Sequence, residues 1–269
     1  MITSKIMEEK ELPKIETRGR KPKPQVVFDP STVVIKKGGD LKFSSRLFIP
    51  YKTHTLVDSI LSTEGGVMPG TNMMIAGGPG SGKTTVCLEI CQRLTFQNYK
   101  TLFISGEMDE IGYYKYCKRI PAFDKIETLF LRNYMDNAKD VLEYIFDQSY
   151  ELIVLDSVAE ILDMVKTQAK MTENQAERWL IGLQDKHKKG LNQRKLYTSF
   201  INVQQVTKSN DVSGTNRLKH MMDAFALIKF DKSKTKRSLG FYKNRDCKDL
   251  SRINFDIGNE GVTFYFEKQ

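Results

Sequence analysis

Short apolar runs recur along the chain at residues 72–76, 101–104, 128–131, 152–155, 198–203 and 224–230, each bounded by polar, charged or glycine positions. Between them, the stretches 85–91, 110–119, 137–148 and 173–189 read as helices, and a shorter helix is expected at 53–61. Strands alternating with helices predict an α/β fold with a mostly parallel twisted sheet covered by helices on both faces. The period then changes. Residues 237–242, 252–257 and 262–266 alternate as antiparallel strands do, with Gly258-Asn259-Glu260-Gly261 as a hairpin turn. Upstream, residues 1–25 are polar, contain proline and have no period, which predicts a disordered arm. Residues 26–35 carry Val26-Val27-Phe28 and Val33-Val34-Ile35, expected to pair as edge strands or to dock on a neighbouring subunit. The expected organisation is a basic arm over 1–45 and one α/β domain over 46–269, without internal repeats.

The join between the first strand and the first long helix is Gly77-Gly78-Pro79-Gly80-Ser81-Gly82-Lys83-Thr84, followed by Thr85. In a strand–loop–helix setting this is a P-loop, and it predicts a bound nucleoside triphosphate. Small residues let successive backbone N–H groups wrap the phosphates, and the helix N-terminus adds its dipole. Lys83 supplies a point charge for the β- and γ-phosphates, and the Thr84 hydroxyl is the expected Mg²⁺ ligand.

Three other strands end in polar groups. Residues 151–157 form an apolar strand closing on Asp156, the pattern of an acid that holds a Mg²⁺-bound water. Residues 101–107 end on Glu107, expected at the carboxyl edge of the sheet, where ligands of such folds sit. That acid is placed to polarise a water attacking the γ-phosphate, whereas Asp109 and Glu110 read as acids at a helix N-terminus. Residues 200–205 end on Gln204-Gln205, an amide able to hydrogen-bond the γ-phosphate.

Charge changes the picture of partners. The 269 residues carry a net charge of +9. Positions 1–46 hold eleven Lys and Arg against six Asp and Glu, and positions 229–252 hold nine against three. A surplus concentrated in stretches suits a polyanion. Arg18-Gly19-Arg20 in the arm is similar to an AT-hook, an extended segment that lies in the narrow minor groove of A·T-rich DNA. Four scattered cysteines and three histidines do not suggest a zinc site, and a reducing cytoplasmic setting is expected. No apolar run approaches the roughly eighteen residues of a membrane span.

The order of P-loop, Ser105-Gly106-Glu107, Leu155-Asp156-Ser157, Gln205-Val206-Thr207-Lys208, the segment from Leu218 to Asp223, and Lys243-Asn244-Arg245 resembles the RecA-type ATPase core over roughly residues 46–257. It is most similar to the bacterial RadA branch, with KaiC-like and DnaB-type helicase cores as relatives. The resemblance implies ATP and Mg²⁺, with Glu107 activating water, Asp156 organising Mg²⁺ and Gln205 sensing the γ-phosphate. It also implies that Lys243 and Arg245 are a basic finger pair reaching the neighbouring subunit's nucleotide, so that ATP is hydrolysed between subunits of a homo-oligomer, expected to be a hexamer. The four-cysteine module and protease-like domain of RadA have no counterpart in these residues, and Asp246-Cys247 replaces the Phe-Gly that follows its Lys-Asn-Arg.

In such assemblies DNA, expected here to be single-stranded, is held on two loops facing the central axis. By resemblance the first is residues 164–172, with Lys166 and Lys170, and the second is residues 208–219, with Lys208, Arg217 and Lys219. Phosphate contacts of this kind give affinity without sequence preference. The expectation is a DNA-binding motor of a bacterial or phage-infected cell, a helicase or translocase in replication or recombination. Its alternatives are a recombination filament or mediator, and a KaiC-like regulatory ATPase with a protein partner.

Overall fold

The computed structural model describes residues 29–206, 216–231, 233, 235–248, 250 and 252–266. The chain divides into two units at Lys42 and Phe43. In the first, the described residues form turns. Asp29 accepts a hydrogen bond from the Ser31 N–H at 2.9 Å and starts the 3₁₀ turn Pro30–Thr32. The strands expected within 26–35 do not form over its described part, because this Asp-Pro turn takes up the local backbone groups. Residues 26–28 lie outside the described residues.

The second unit runs through α1 (Asp58–Leu61), β1 (Asn72–Gly77), α2 (Lys83–Phe96), β2 (Thr101–Ser105), α3 (Glu110–Arg119), β3 (Glu127–Phe130), α4 (Ala138–Phe146), β4 (Leu152–Asp156) and α5 (Val158–Gln168). It continues with α6 (Glu173–Lys188), β5 (Ser199–Gln205), α7 (Asn216–Met221), β6 (Ala224–Phe230), β7 (Arg237–Asn244), β8 (Arg252–Gly258) and β9 (Gly261–Tyr265). Among the described residues, nine strands make one sheet in the order β3-β2-β4-β5-β1-β6-β7-β8-β9. The first six are parallel to one another and β7, β8 and β9 are antiparallel additions.

Successive side chains of a strand point to opposite faces, and both faces of the parallel part are covered. Met73 and Ile75 of β1, with Leu152 and Val154 of β4, join α2, α3 and the β7–β9 extension in one core. Met74 and Ala76, with Ile153 and Leu155, join α4, α5 and α6 in the other. Both faces being apolar explains why these strands read as unbroken hydrophobic runs.

The helix expected at 53–61 shrinks to Asp58–Leu61. The Asp58 carboxylate accepts from the Thr53 N–H at 3.0 Å, the Thr53 hydroxyl at 2.8 Å and the His54 N–H at 2.9 Å. An aspartate satisfying backbone donors upstream competes with helical pairing there, and residues 53–57 become a turn.

Candidate functional site

The P-loop leaves the fully buried strand β1 at the carboxyl edge of the sheet, flanked by β5 and β6. Its glycines are dictated by space and backbone. A Cβ on Gly77 would lie 2.8 Å from Ser81 Oγ and 3.0 Å from the Ile228 carbonyl. Gly82 has φ +99°, and a Cβ there would meet Ile257 Cδ1 of β8 at 2.7 Å. The antiparallel extension therefore presses on the point where the loop turns into α2. Gly78 and Gly80 have open space where a side chain would stand, so the rim of the loop is bare. Lys83 is buried and folds back on the loop, its Nζ donating to the Gly78 carbonyl at 3.0 Å. Burial lowers its pKa, against the attraction of Asp156 and Glu107. Among the described residues, the buried Ser81 Oγ has no hydrogen-bond partner.

Asp156 closes β4 beside the end of β2, where it pairs with Ser105 in register. The Thr84 hydroxyl donates to its Oδ2 at 2.6 Å. Burial pushes the Asp156 carboxyl up to about 6, with Glu107 adding to the rise while the Thr84 hydrogen bond and Lys83 oppose it. The 105–107 turn is pinned from three sides. The Gly106 N–H donates to the Asp156 carbonyl at 2.8 Å, Arg132 Nε donates to the Gly106 carbonyl at 3.0 Å, and Ser105 Oγ donates to the Met108 carbonyl at 2.7 Å. Glu107 is thereby held at the surface of the cleft, where Gln205 Nε2 of β5 lies 3.5 Å from its Oε1. Asp109 caps α3, accepting from the Gly112 N–H at 2.7 Å.

Lys83, Thr84, Glu107, Asp156 and Gln205 thus line one cavity of about 330 Å³, together with Pro79, Gly80 and Ser105. Met108 and Tyr116 also line it and were not singled out from the sequence. The signal available was the spacing of Tyr113 and Tyr116, one turn apart on a helix that begins just after Glu107. The donors fit magnesium: Thr84 Oγ1 and the Asp156 carboxylate are hard oxygens 2.6 Å apart, and the carboxyl is raised by burial, as expected of an acid awaiting a cation. The bare glycine rim and the inward Lys83 fit a polyphosphate.

Lys243 and Arg245 lie elsewhere. Met73 of β1 pairs with Ala224 of β6, and Ala224 pairs with Asn244 of β7, so the two cations flank the amino end of β1. The P-loop stands at its carboxyl end, about 16 Å away at roughly 3.3 Å per residue. Lys243 Nζ donates to the His220 carbonyl at 3.1 Å, and Arg245 Nη1 donates to Asp223 Oδ1 at 3.1 Å.

The first axial loop is a correction. Residues 164–168 are the end of α5, and α6 starts at Glu173 behind a capping box in which Thr172 and Gln175 satisfy each other's backbone N–H groups. A tight turn joins them, with Lys170 exposed at φ +50°. Lys166 sits in the last turn of α5 and pairs with Asp163 at 2.6 Å. Two helices that share one core through Val165 and Leu180 leave no long loop here. Lys219 stacks over the Phe225 ring at 4.7 Å. Arg217 falls on α7 by its backbone, while Lys208, Arg18 and Arg20 lie outside the described residues. Among the described residues, no helix is long and apolar enough to cross a membrane.

No family model matches the chain. The DNA repair protein RadA of Chlamydia pneumoniae is 28% identical over 206 residues, covering 77% of this chain and 42% of that protein. RadA of Campylobacter jejuni is 28% identical over 183 residues, covering 67% and 39%. The chain thus spans less than half the length of these relatives. Among solved structures, a KaiC-like protein from the archaeon Pyrococcus horikoshii superposes with a TM-score of 0.59 at 17% identity, covering 81% of this chain and 99% of that one. The flagellar accessory protein FlaH of Methanocaldococcus jannaschii gives 0.57 at 11% identity, covering 81% and 100%. The central parallel sheet, the P-loop at its carboxyl edge and these likenesses agree: the chain is a RecA-fold P-loop protein, similar in sequence to RadA and in fold to a KaiC-like protein.

Proposed function

We propose that this protein is an ATPase that hydrolyses ATP at the interface between identical subunits and uses the cycle to move on or remodel DNA. The observation that carries the reading is the split of its charged groups between two edges of one sheet. Lys83, Thr84, Glu107, Asp156 and Gln205 share the cavity at the carboxyl edge, while Lys243 and Arg245 stand at the amino edge. A side chain of about 6–7 Å does not bridge about 16 Å, so the pair acts on a nucleotide only if another copy presents it. An arginine supplied in this way stabilises the charge that develops on the γ-phosphoryl oxygens.

Within the cavity, Lys83 leaves the Gly78 carbonyl for the phosphates, and Glu107 orients and takes a proton from the attacking water. Gln205, at hydrogen-bond range of Glu107, couples the γ-phosphate to the segment that follows β5. Mg²⁺, held by Thr84 and Asp156, would neutralise charge on the phosphate oxygens. A homo-hexameric ring acting as a helicase or translocase on single-stranded DNA is the form we favour, given the basic stretches at 1–46 and 229–252 and the relatives named as DNA repair proteins.

One observation favours a second reading, a KaiC-like regulatory ATPase with a protein partner: the α5–α6 turn replaces an axial loop, and Lys166 is already paired. DNA-stimulated ATP turnover separates the two. Stimulation of tenfold or more by single-stranded DNA supports the motor, and turnover indifferent to DNA removes it. Electron microscopy of the ATP-bound protein on DNA then distinguishes a closed ring from a filament.

A further inference from the structure

Asp223, in the short link between α7 and β6, is the meeting point of three elements. Its side chain is only 10% exposed. Oδ2 accepts the Asn72 N–H of β1 at 3.0 Å and pairs with Lys188 Nζ, and Oδ1 accepts from Arg245 Nη1 at 3.1 Å. The Arg245 N–H also donates to the Asp223 carbonyl at 3.2 Å. Asn72 is itself immobilised by a closed ring of buried amides. Its Nδ2 donates to Gln184 Oε1 at 2.8 Å, Gln184 Nε2 donates to Asn202 Oδ1 at 2.7 Å, and Asn202 Nδ2 donates to Asn72 Oδ1 at 2.6 Å. That ring ties α6, which ends in Lys188, to β1 and β5. Lys188 and Arg245 are 57 positions apart in sequence and share one carboxylate in space.

A carboxylate already accepting a backbone N–H is balanced by one cation. Here there are two, and Lys243 reaches the same stretch of chain through the His220 and Met222 carbonyls. A cavity of about 310 Å³ opens at this point, lined by Lys188, Asp223, Arg245, Asp246, Thr71 and Phe48 among others. Its second acid, Asp246, accepts from the Thr71 hydroxyl at 2.7 Å. Lys188 and Arg245 therefore share Asp223 at the wall of this opening, with Lys243 held close behind them on the His220 and Met222 carbonyls. Arg245, with 64% of its side chain exposed, carries further N–H donors, beyond the one given to Asp223, that an anion can reach.

We propose that Lys188 is a third cation of the between-subunit site, contacting the terminal phosphate of ATP bound to a second copy of this chain, and that Asp223 is the positioning residue that holds Lys188 and Arg245 side by side. The proposal rests on the between-subunit reading given above. Two cations oriented by a nearly buried carboxylate need little reorganisation when charge develops on the phosphoryl group, which is where preorganised donors act most strongly. Salt-bridging within one subunit sets the geometry, and the outward donors do the contacting.

The test uses the full chain. Lys188→Ala is expected to lower kcat on the order of tenfold to a hundredfold, as for loss of one positioned donor. Its affinity for a fluorescent ATP analogue should stay within about twofold, because its own P-loop is intact. Mixing it with Lys83→Ala should restore part of the turnover, since some interfaces then pair an intact P-loop with an intact cation cluster. Lys188→Arg should retain more activity than Lys188→Ala. Asp223→Asn should lower kcat at least as far as Lys188→Ala, leave nucleotide affinity unchanged and also be rescued by Lys83→Ala. Arg245→Ala, mixed in the same way, is the control for the underlying reading. If Arg245→Ala is inactive and rescued while Lys188→Ala turns over within about threefold of the parent, the proposal falls and the between-subunit reading stands. If Lys188→Ala is inactive and not rescued while Arg245→Ala is, Lys188 acts inside its own subunit and the proposal falls. If neither is rescued in mixed oligomers shown to form, both fall. Should Asp223→Asn not fold, shown by loss of its cooperative melting transition, Lys188→Ala and Lys188→Arg still decide.

Discussion

Asp156→Asn should make the free chain more stable while ending its magnesium-dependent chemistry. The carboxyl titrates at about 6 in the folded chain against an ordinary value of 3.8, chiefly because it is buried. A carboxyl with a raised folded pKa binds its proton more tightly in the folded state. Its ionisation therefore costs nothing below pH 3.8, destabilises the fold increasingly between 3.8 and about 6, and exerts its full penalty above that. A rise of roughly two pH units corresponds to about 3 kcal/mol. Asparagine matches the shape, can accept the Thr84 hydroxyl hydrogen bond and carries no charge to bury. For a domain of this size about 3 kcal/mol raises Tm by roughly 6–12 °C. Thermal melts without nucleotide at pH 8 and pH 4 measure it: a gain of several degrees at pH 8 that vanishes at pH 4. With Mg²⁺ and ATP added, the parent should gain stability and the variant should gain much less, because the cation compensates the buried charge only where a carboxylate is present. A gain equal at both pH values, or a loss at pH 8, would refute the account of Asp156 as an acid held ready for a cation.

Lys83→Ala should abolish turnover, checked by steady-state ATP hydrolysis; near-parental kcat/KM would remove the P-loop assignment. Glu107→Gln should bind ATP normally yet hydrolyse it on the order of a hundredfold more slowly in single-turnover assays, as for loss of a general base; weakened binding with unchanged hydrolysis of what is bound would make Glu107 structural. Gly82→Ala places a Cβ 2.7 Å from Ile257 Cδ1 at a backbone φ of +99°, and should cost about 1–3 kcal/mol in denaturant unfolding while weakening ATP binding; an unchanged midpoint would show that β8 does not brace the loop. Deleting residues 1–25 should lower the slope of log affinity for DNA against log salt by roughly one unit for each phosphate that the arm neutralises; an unchanged slope assigns the arm to another task, and loss of a preference for A·T-rich duplex would support the AT-hook likeness.

The central strands β1, β2 and β4 were legible in the chain because each is buried on both faces, which leaves a continuous apolar run with no competing pattern, whereas the edge strand β3 is only partly buried. β4 was read at 152–155 and observed at Leu152–Asp156, and the run 224–230 coincides with β6. The P-loop was legible for a different reason: phosphate wrapping needs backbone without side chains, and that requirement is written directly as glycines. The polar ends of β2, β4 and β5 followed from the same logic, since a strand that stops being apolar at the ligand edge marks where chemistry begins. What failed was local and polar. The Asp58 carboxylate delayed the start of an expected helix by taking the Thr53 and His54 N–H groups. α5 ran on to Gln168, through residues expected to open the first axial loop. Such choices depend on which of several hydrogen-bonding partners lies within about 3 Å, and spacing along the chain does not specify that. The sequence determined the strand–helix alternation, the cradle for phosphates and the acids beside it. Only the tertiary structure decided that β1 lies between β5 and β6, that Lys243 and Arg245 stand at the far edge from their own P-loop, and that Lys188 joins Arg245 on Asp223. Strand order and the meeting of residues 57 positions apart are set by long-range packing of two cores, which no local pattern encodes.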